Sequence, residues 1–110
     1  MLDWNRIKEL RDEIGEDDFA EVAEIFLDEL DEVMTQLLAG GSPQETSERL
    51  HFLKGCALNL GFARMAELAT ETHGQARGAD PAELDLVSLK SAYEASRTEF
   101  AARFGGAEAA

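Results

Sequence analysis

"SPQETSERLHFLKGCALNLGF", residues 42–62, decides how the rest of the chain is read. It opens with a helix start signal: Ser42 as N-cap, Pro43 as first helical residue, and Glu45 placed to close a capping box. Stepping roughly 100° per residue from Leu50 gathers Thr46, Leu53, Ala57 and Leu60 within about 80° of it, with Cys56 at the margin. That stripe faces a core, so the segment is an amphipathic helix from Pro43 to about Leu60, broken at Gly61. His51 falls roughly opposite the stripe and should face solvent. Lys54 stands beside it at i+3, Gly55 one turn beyond, and Leu58 two turns beyond.

Helical periodicity continues outward in both directions, and nothing alternates with the period of a strand. Upstream, Trp4, Ile7, Leu10 and Ile14 make a short stripe with Gly15 as its stop. Phe19, Val22, Phe26, Leu30, Val33 and Leu37 then step by three or four along a long helix that ends at Ala39–Gly41. Downstream, Met65, Leu68, Ala69 and Thr72 turn inward on a fourth helix, which ends within "HGQARGAD". "DPAE", residues 80–83, repeats the capping box, and a fifth helix follows with Leu86, Leu89, Tyr93, Phe100 and Phe104 near one face. The expected fold is all-α: an antiparallel four-helix bundle with an additional short N-terminal helix laid across one end. One domain should span residues 1–105, with 106–110 a frayed tail.

Composition narrows the function. A chain of 110 residues can bury a genuine core. Its formal net charge of −13, from 23 acidic and 10 basic residues, repels phosphate backbones and anionic bilayers, so neither nucleic acid nor a membrane is an expected partner. No apolar run approaches the roughly 20 residues of a membrane span. The start, "MLDWNRIKEL", is no signal peptide. A lone cysteine, Cys56, excludes an internal disulfide and fits a reducing compartment, so a cytoplasmic location is expected.

Between Arg49 and Ala66 there is no acidic residue, while Arg49, Lys54 and Arg64 are present. A cationic neighbourhood around an exposed imidazole suits a group that becomes anionic, such as a phosphoryl group. Gly55 costs a helix about 1 kcal/mol relative to alanine. The reason on offer is clearance, because a missing side chain one turn from His51 lets another molecule approach the ring. Leu58 and Phe62 would then supply an apolar docking patch. Each residue has an ordinary reading alone: a surface histidine, a solvated lysine, a glycine at a helix–helix contact. Their combination at this spacing is less ordinary. If the third and fourth helices form a hairpin about Phe62, His73 lies as far from the turn as His51 and should stand near it.

"HFLKGCALNLG" resembles the signature of histidine-containing phosphotransfer (HPt) domains, H-x-x-K-G-x-x-x-x-x-G, at His51, Lys54, Gly55 and Gly61. The helix order and length resemble that family along nearly the whole chain. The resemblance implies that His51 is the phospho-acceptor, with Nε2 attacking, and that it exchanges the group with the aspartate of response-regulator receiver domains. A hybrid histidine kinase is a second implied partner. Relatives often carry a polar side chain, commonly glutamine, beside the active histidine, a place His73 would take here. Cys56 departs from the serine or alanine of many relatives.

A neutral, exposed imidazole ring offers a nucleophilic nitrogen. Phosphoryl transfer asks for positioning and charge neutralisation, and Lys54 supplies one cation. No magnesium site is apparent beside His51, so Mg²⁺ is expected on the receiver and no cofactor or metal on this chain. Without a G-x-x-x-x-G-K-[ST] loop or an ATP-binding kinase domain, the chain reads as a carrier modified in trans, not an enzyme, and as a monomer. Cys56 sits about 140° around the helix from His51, and no H-x-x-H or C-x-x-C exists, so a metal site is disfavoured. Two other readings keep the same fold. One is a docking bundle that never acquires phosphate; the other is the phosphorylation module of a chemotaxis-type kinase cut from a longer protein.

Overall fold

A computed structural model describes residues 2–75 and 84–105. The described chain is all-helical. Helix α1 runs Trp4–Ile14, α2 Glu16–Ala39, α3 Pro43–Leu60, α4 Ala63–Gln75 and α5 Leu86–Phe100, and a wide helical turn follows at Ala101–Gly105.

Local signals set most of the boundaries. The Asp3 side chain accepts from the Arg6 amide at 3.1 Å and starts α1. Gly15 ends it at φ 101°, a backbone conformation that L side chains rarely adopt. Glu16, Asp17 and Asp18 place negative charge at the N-terminus of α2, where the helix dipole favours it. At α3 the capping box is complete: Ser42 Oγ accepts from the Glu45 amide at 3.1 Å, and Glu45 Oε1 accepts from the Ser42 amide at 3.0 Å. The predicted box at 80–83 lies outside the described residues. Asp85 caps α5, accepting from the Ser88 amide at 3.0 Å.

Helices adjacent in sequence pack on one another from α2 through α5, α2 also meets α5, and α1 packs on α2 and α3. The predicted stripes largely hold. Phe19, Leu30, Leu37, Leu50, Leu53, Ala57, Leu60, Met65, Ala69, Leu89, Tyr93 and Phe100 are buried. Val22, Phe26, Val33, Leu68 and Leu86 are half-buried, while Ala23, Met34 and Ala66 join the core. The side chain of Phe104 and the tail 106–110 lie outside the description.

The turn from α3 to α4 departs from the expected picture. Gly61 is left-handed at φ 82°; its amide donates to Leu58 O at 3.4 Å, and the Phe62 amide donates to Ala57 O at 2.8 Å. This Schellman closure commonly seats the second residue past the helix against the last turn. Phe62 is accordingly 0% exposed and meets Phe100 edge-on at 5.8 Å. Phe100 in turn contacts Phe19 at 6.0 Å. Phe62 is thus a core residue, and its expected place in an exposed docking patch is corrected. Burial of an aromatic ring stabilises the fold more than exposure at a rim would.

Candidate functional site

His51 projects from the exposed side of α3, as the stripe through Leu50 and Ala57 requires. His73 comes from the last turn of α4, half-buried, and the two rings stand 5.7 Å apart between centroids at 44°. The Gly61–Phe62 turn brings them together: two helices doubling back at Phe62 return equal lengths of chain to the same level. The expected proximity is therefore present.

Gly55 sits in the middle of α3, where a Cβ built on its backbone would meet nothing within 4 Å. A close helix–helix contact does not account for this glycine, so the space beside His51 is open to another molecule. Gly74, next to His73, has the same open surroundings. Lys54 is half-buried beside His51 and makes no hydrogen bond or ion pair among the described residues. Leu58 is 53% exposed on the same side of α3.

The cationic stretch read from sequence is smaller in space. Arg49 turns away to the end of α2, donating to Gln36 O at 3.4 Å and Gly40 O at 3.2 Å, and pairs with Glu45. Arg64 pairs with Glu67 at 3.1 Å. Of the three cations, Lys54 alone stays beside the ring without a carboxylate among the described residues. Cys56 packs toward α2, where burial, helped by the Glu29 carboxylate, pushes its thiol upward and keeps it protonated.

One part of the site escaped the linear reading. Ala63, Ala66, Glu67, Thr70 and Glu71 of α4 form, with Leu58, a groove of about 470 Å³ along the α3–α4 seam. Small residues at i, i+3 and i+7 along α4, Ala63, Ala66 and Thr70, are its sequence signal, but that pattern does not say which neighbour they face. No group of three His, Cys, Asp or Glu among the described residues could hold a metal ion. No helix among them is long and apolar enough to cross a membrane.

An exposed imidazole with open approach over a glycine, on an all-helical scaffold, fits a module that presents a nucleophilic histidine to a partner. A family model described as "Hpt domain" matches residues 21–99, from the second turn of α2 through nearly all of α5. The chain belongs to the Hpt domain family, whose members perform histidine phosphotransfer in two-component signalling. No curated protein and no solved structure matches it.

Proposed function

We propose that the chain is a cytoplasmic, monomeric phosphorelay carrier, an antiparallel four-helix bundle that takes a phosphoryl group on His51 from the aspartate of a receiver domain and returns it to another. The observation that carries this reading is the open space over Gly55 beside the exposed His51 ring. A receiver can bring its aspartyl phosphate toward in-line distance over Gly55, where no side chain projects from the helix itself. Imidazole Nε2 supplies the electron pair, the new P–N bond forms as the aspartyl P–O bond breaks, and the carboxylate leaves with the bonding pair. Nδ1 keeps the ring proton. In the return step the second aspartate attacks phosphorus and the imidazole leaves.

Lys54 offsets the negative charge on the transferred group, and His73 offers a ring nitrogen to hydrogen-bond beside it. Mg²⁺ and the remaining electrostatic groups come from the receiver, so transfer needs no cofactor on this chain. The groove at Leu58 and Thr70 lies in the path of the approaching partner and gives it apolar area to bury. Neighbour-by-neighbour packing of α2 through α5, closed by the α2–α5 contact, supports the bundle.

The test is transfer of labelled phosphate from a phosphorylated receiver to the chain and to His51→Gln. The expected result is acid-labile label on the wild type and none on the variant, with the helical spectrum of both unchanged. Equal labelling of both, or none on the folded wild type from several receivers, would remove the proposal.

A further inference from the structure

Helix α1 has two faces of different charge. On one, Arg6 reaches toward Glu9 and Glu13, each at 3.8 Å, and donates to Asn59 O at 3.0 Å. On the other, Trp4, Lys8 and Arg11 stand at i, i+4 and i+7, along one stripe. Arg103 arrives from the wide turn after α5 and sets its guanidinium 5.2 Å from the centre of the Trp4 ring. Trp4, Asn5, Ile7, Lys8, Arg11 and Arg103 line a cleft of about 230 Å³. Among the described residues no carboxylate lines it. The chain has 23 acidic and only 10 basic residues, so three cations converging on one cleft run against its composition. All six residues lie outside 21–99, so membership of the family does not account for them.

We propose that this cleft is a second docking surface, one that takes a short acidic segment of a partner polypeptide. Charge complementarity selects the sign: Lys8 and Arg103 face carboxylates of the segment. Trp4, 39% exposed above the buried Ile7, offers an apolar wall for a side chain of that segment. The cleft is smaller than the roughly 300 Å³ at which small-molecule pockets begin, which favours side chains from a chain lying across it. Long polyanions fit less well. Nucleic acid or an anionic bilayer would extend beyond the patch and meet the field of a molecule with net charge −13. A few carboxylates stay within the Debye length of about 8 Å that the three cations govern.

Position gives the surface its use. Its foundation is the junction of α1 with the α3 terminus, where the Asp3 amide donates to Gly61 O at 2.7 Å. His51 lies about 15 Å up α3 from Gly61, at a rise of about 1.5 Å per residue. A partner held by an acidic segment at Trp4 leaves the His51 face uncovered, and tethering raises its effective concentration there.

Trp4 is the single tryptophan of the chain, so its emission reports directly on the cleft. The full chain would be titrated with a short peptide of Glu and Asp around one Leu, with the Gln and Asn version as control. The same peptide carrying a fluorescent label would be followed by anisotropy. Expected are saturable binding to the acidic peptide alone, weakening with salt, and loss of about tenfold or more in affinity in Lys8→Glu. Circular dichroism would check that the variant is folded, and its transfer from a phosphorylated receiver to His51 should be unchanged. Absence of saturable binding by both readouts, or equal affinity in Lys8→Glu, overturns the proposal. So does saturation by duplex DNA or phosphatidylserine vesicles where the peptide fails to bind.

Discussion

Gly55 and Gly61 both belong to α3, and the same substitution should move stability in opposite directions. At Gly55 an added Cβ enters open space in a helical backbone, so Gly55→Ala should stabilise by about 1 kcal/mol and raise the thermal midpoint. The bulkier Gly55→Gln should keep the fold but slow transfer from a receiver, and unchanged rates would end the clearance argument. At Gly61 the backbone is left-handed, and a Cβ would stand 2.7 Å from Ile7 Cγ1 and 2.9 Å from the Asp3 carbonyl oxygen. Gly61→Ala should therefore lose about 1–3 kcal/mol in a denaturant titration. The sequence pattern marks both glycines as unusual. It separates a stop glycine from a mid-helix one but does not show how tightly Gly61 is crowded, because the crowding atoms come from Ile7 of α1 and from Asp3, its N-cap.

Between elements, the tie from α2 to α5 runs through Asp31, Tyr93 and Arg97. Tyr93 donates to Asp31 and, at 3.3 Å, to Leu27 O, while Arg97 bonds both Asp31 and, at 2.9 Å, the Tyr93 hydroxyl. Burial raises the Asp31 carboxyl, but the hydrogen bonds from Tyr93 and Arg97 and the Arg97 charge outweigh it, leaving a net shift below the ordinary 3.8. Its contribution is present above pH 3.8 and is lost as pH falls through the lower folded value. Asp31→Asn should cost about 1 kcal/mol near neutrality, modest because both charged side chains are over a third exposed, and should flatten the acid limb of stability. Burial, then the bond to Asp31, raises the Tyr93 phenol above its ordinary 10.0, so the native state loses stability as pH climbs past 10. Tyr93 is the single tyrosine, and phenolate absorbance should appear at higher pH in the folded chain than in urea. A second test belongs to α5. Ser96 is fully buried, and its hydroxyl has no hydrogen-bond partner among the described residues. Ser96→Ala should stabilise by about 1 kcal/mol in chemical denaturation, since it removes an unsatisfied group and improves helix propensity.

At the scale of the whole molecule, the two apolar residues expected to dock a partner separate. Phe62 joins the α3–α4 turn to Phe100 in the centre, so Phe62→Ala should lose about 3–5 kcal/mol. Leu58 faces the groove with α4, so Leu58→Ala should stay within about 0.5 kcal/mol in stability while weakening receiver binding. Stability and receiver affinity measured on both variants would expose a wrong assignment of either residue.

Much of this was legible along the chain because it depends on near neighbours. A capping box, a stop glycine and a stripe at helical spacing are local, and they place the five helices and turn His51 outward. Even the meeting of His51 with His73 follows from counting equal lengths on each side of one turn. What the tertiary structure alone decided is which side chains lose their solvent or their charge to distant residues. Phe62 is buried by Phe100, Arg49 is drawn off by the carbonyls that end α2, and Arg103 is carried across to Trp4. Desolvation and ion pairing act through space, and periodicity along one helix says which face is apolar without saying what will cover it.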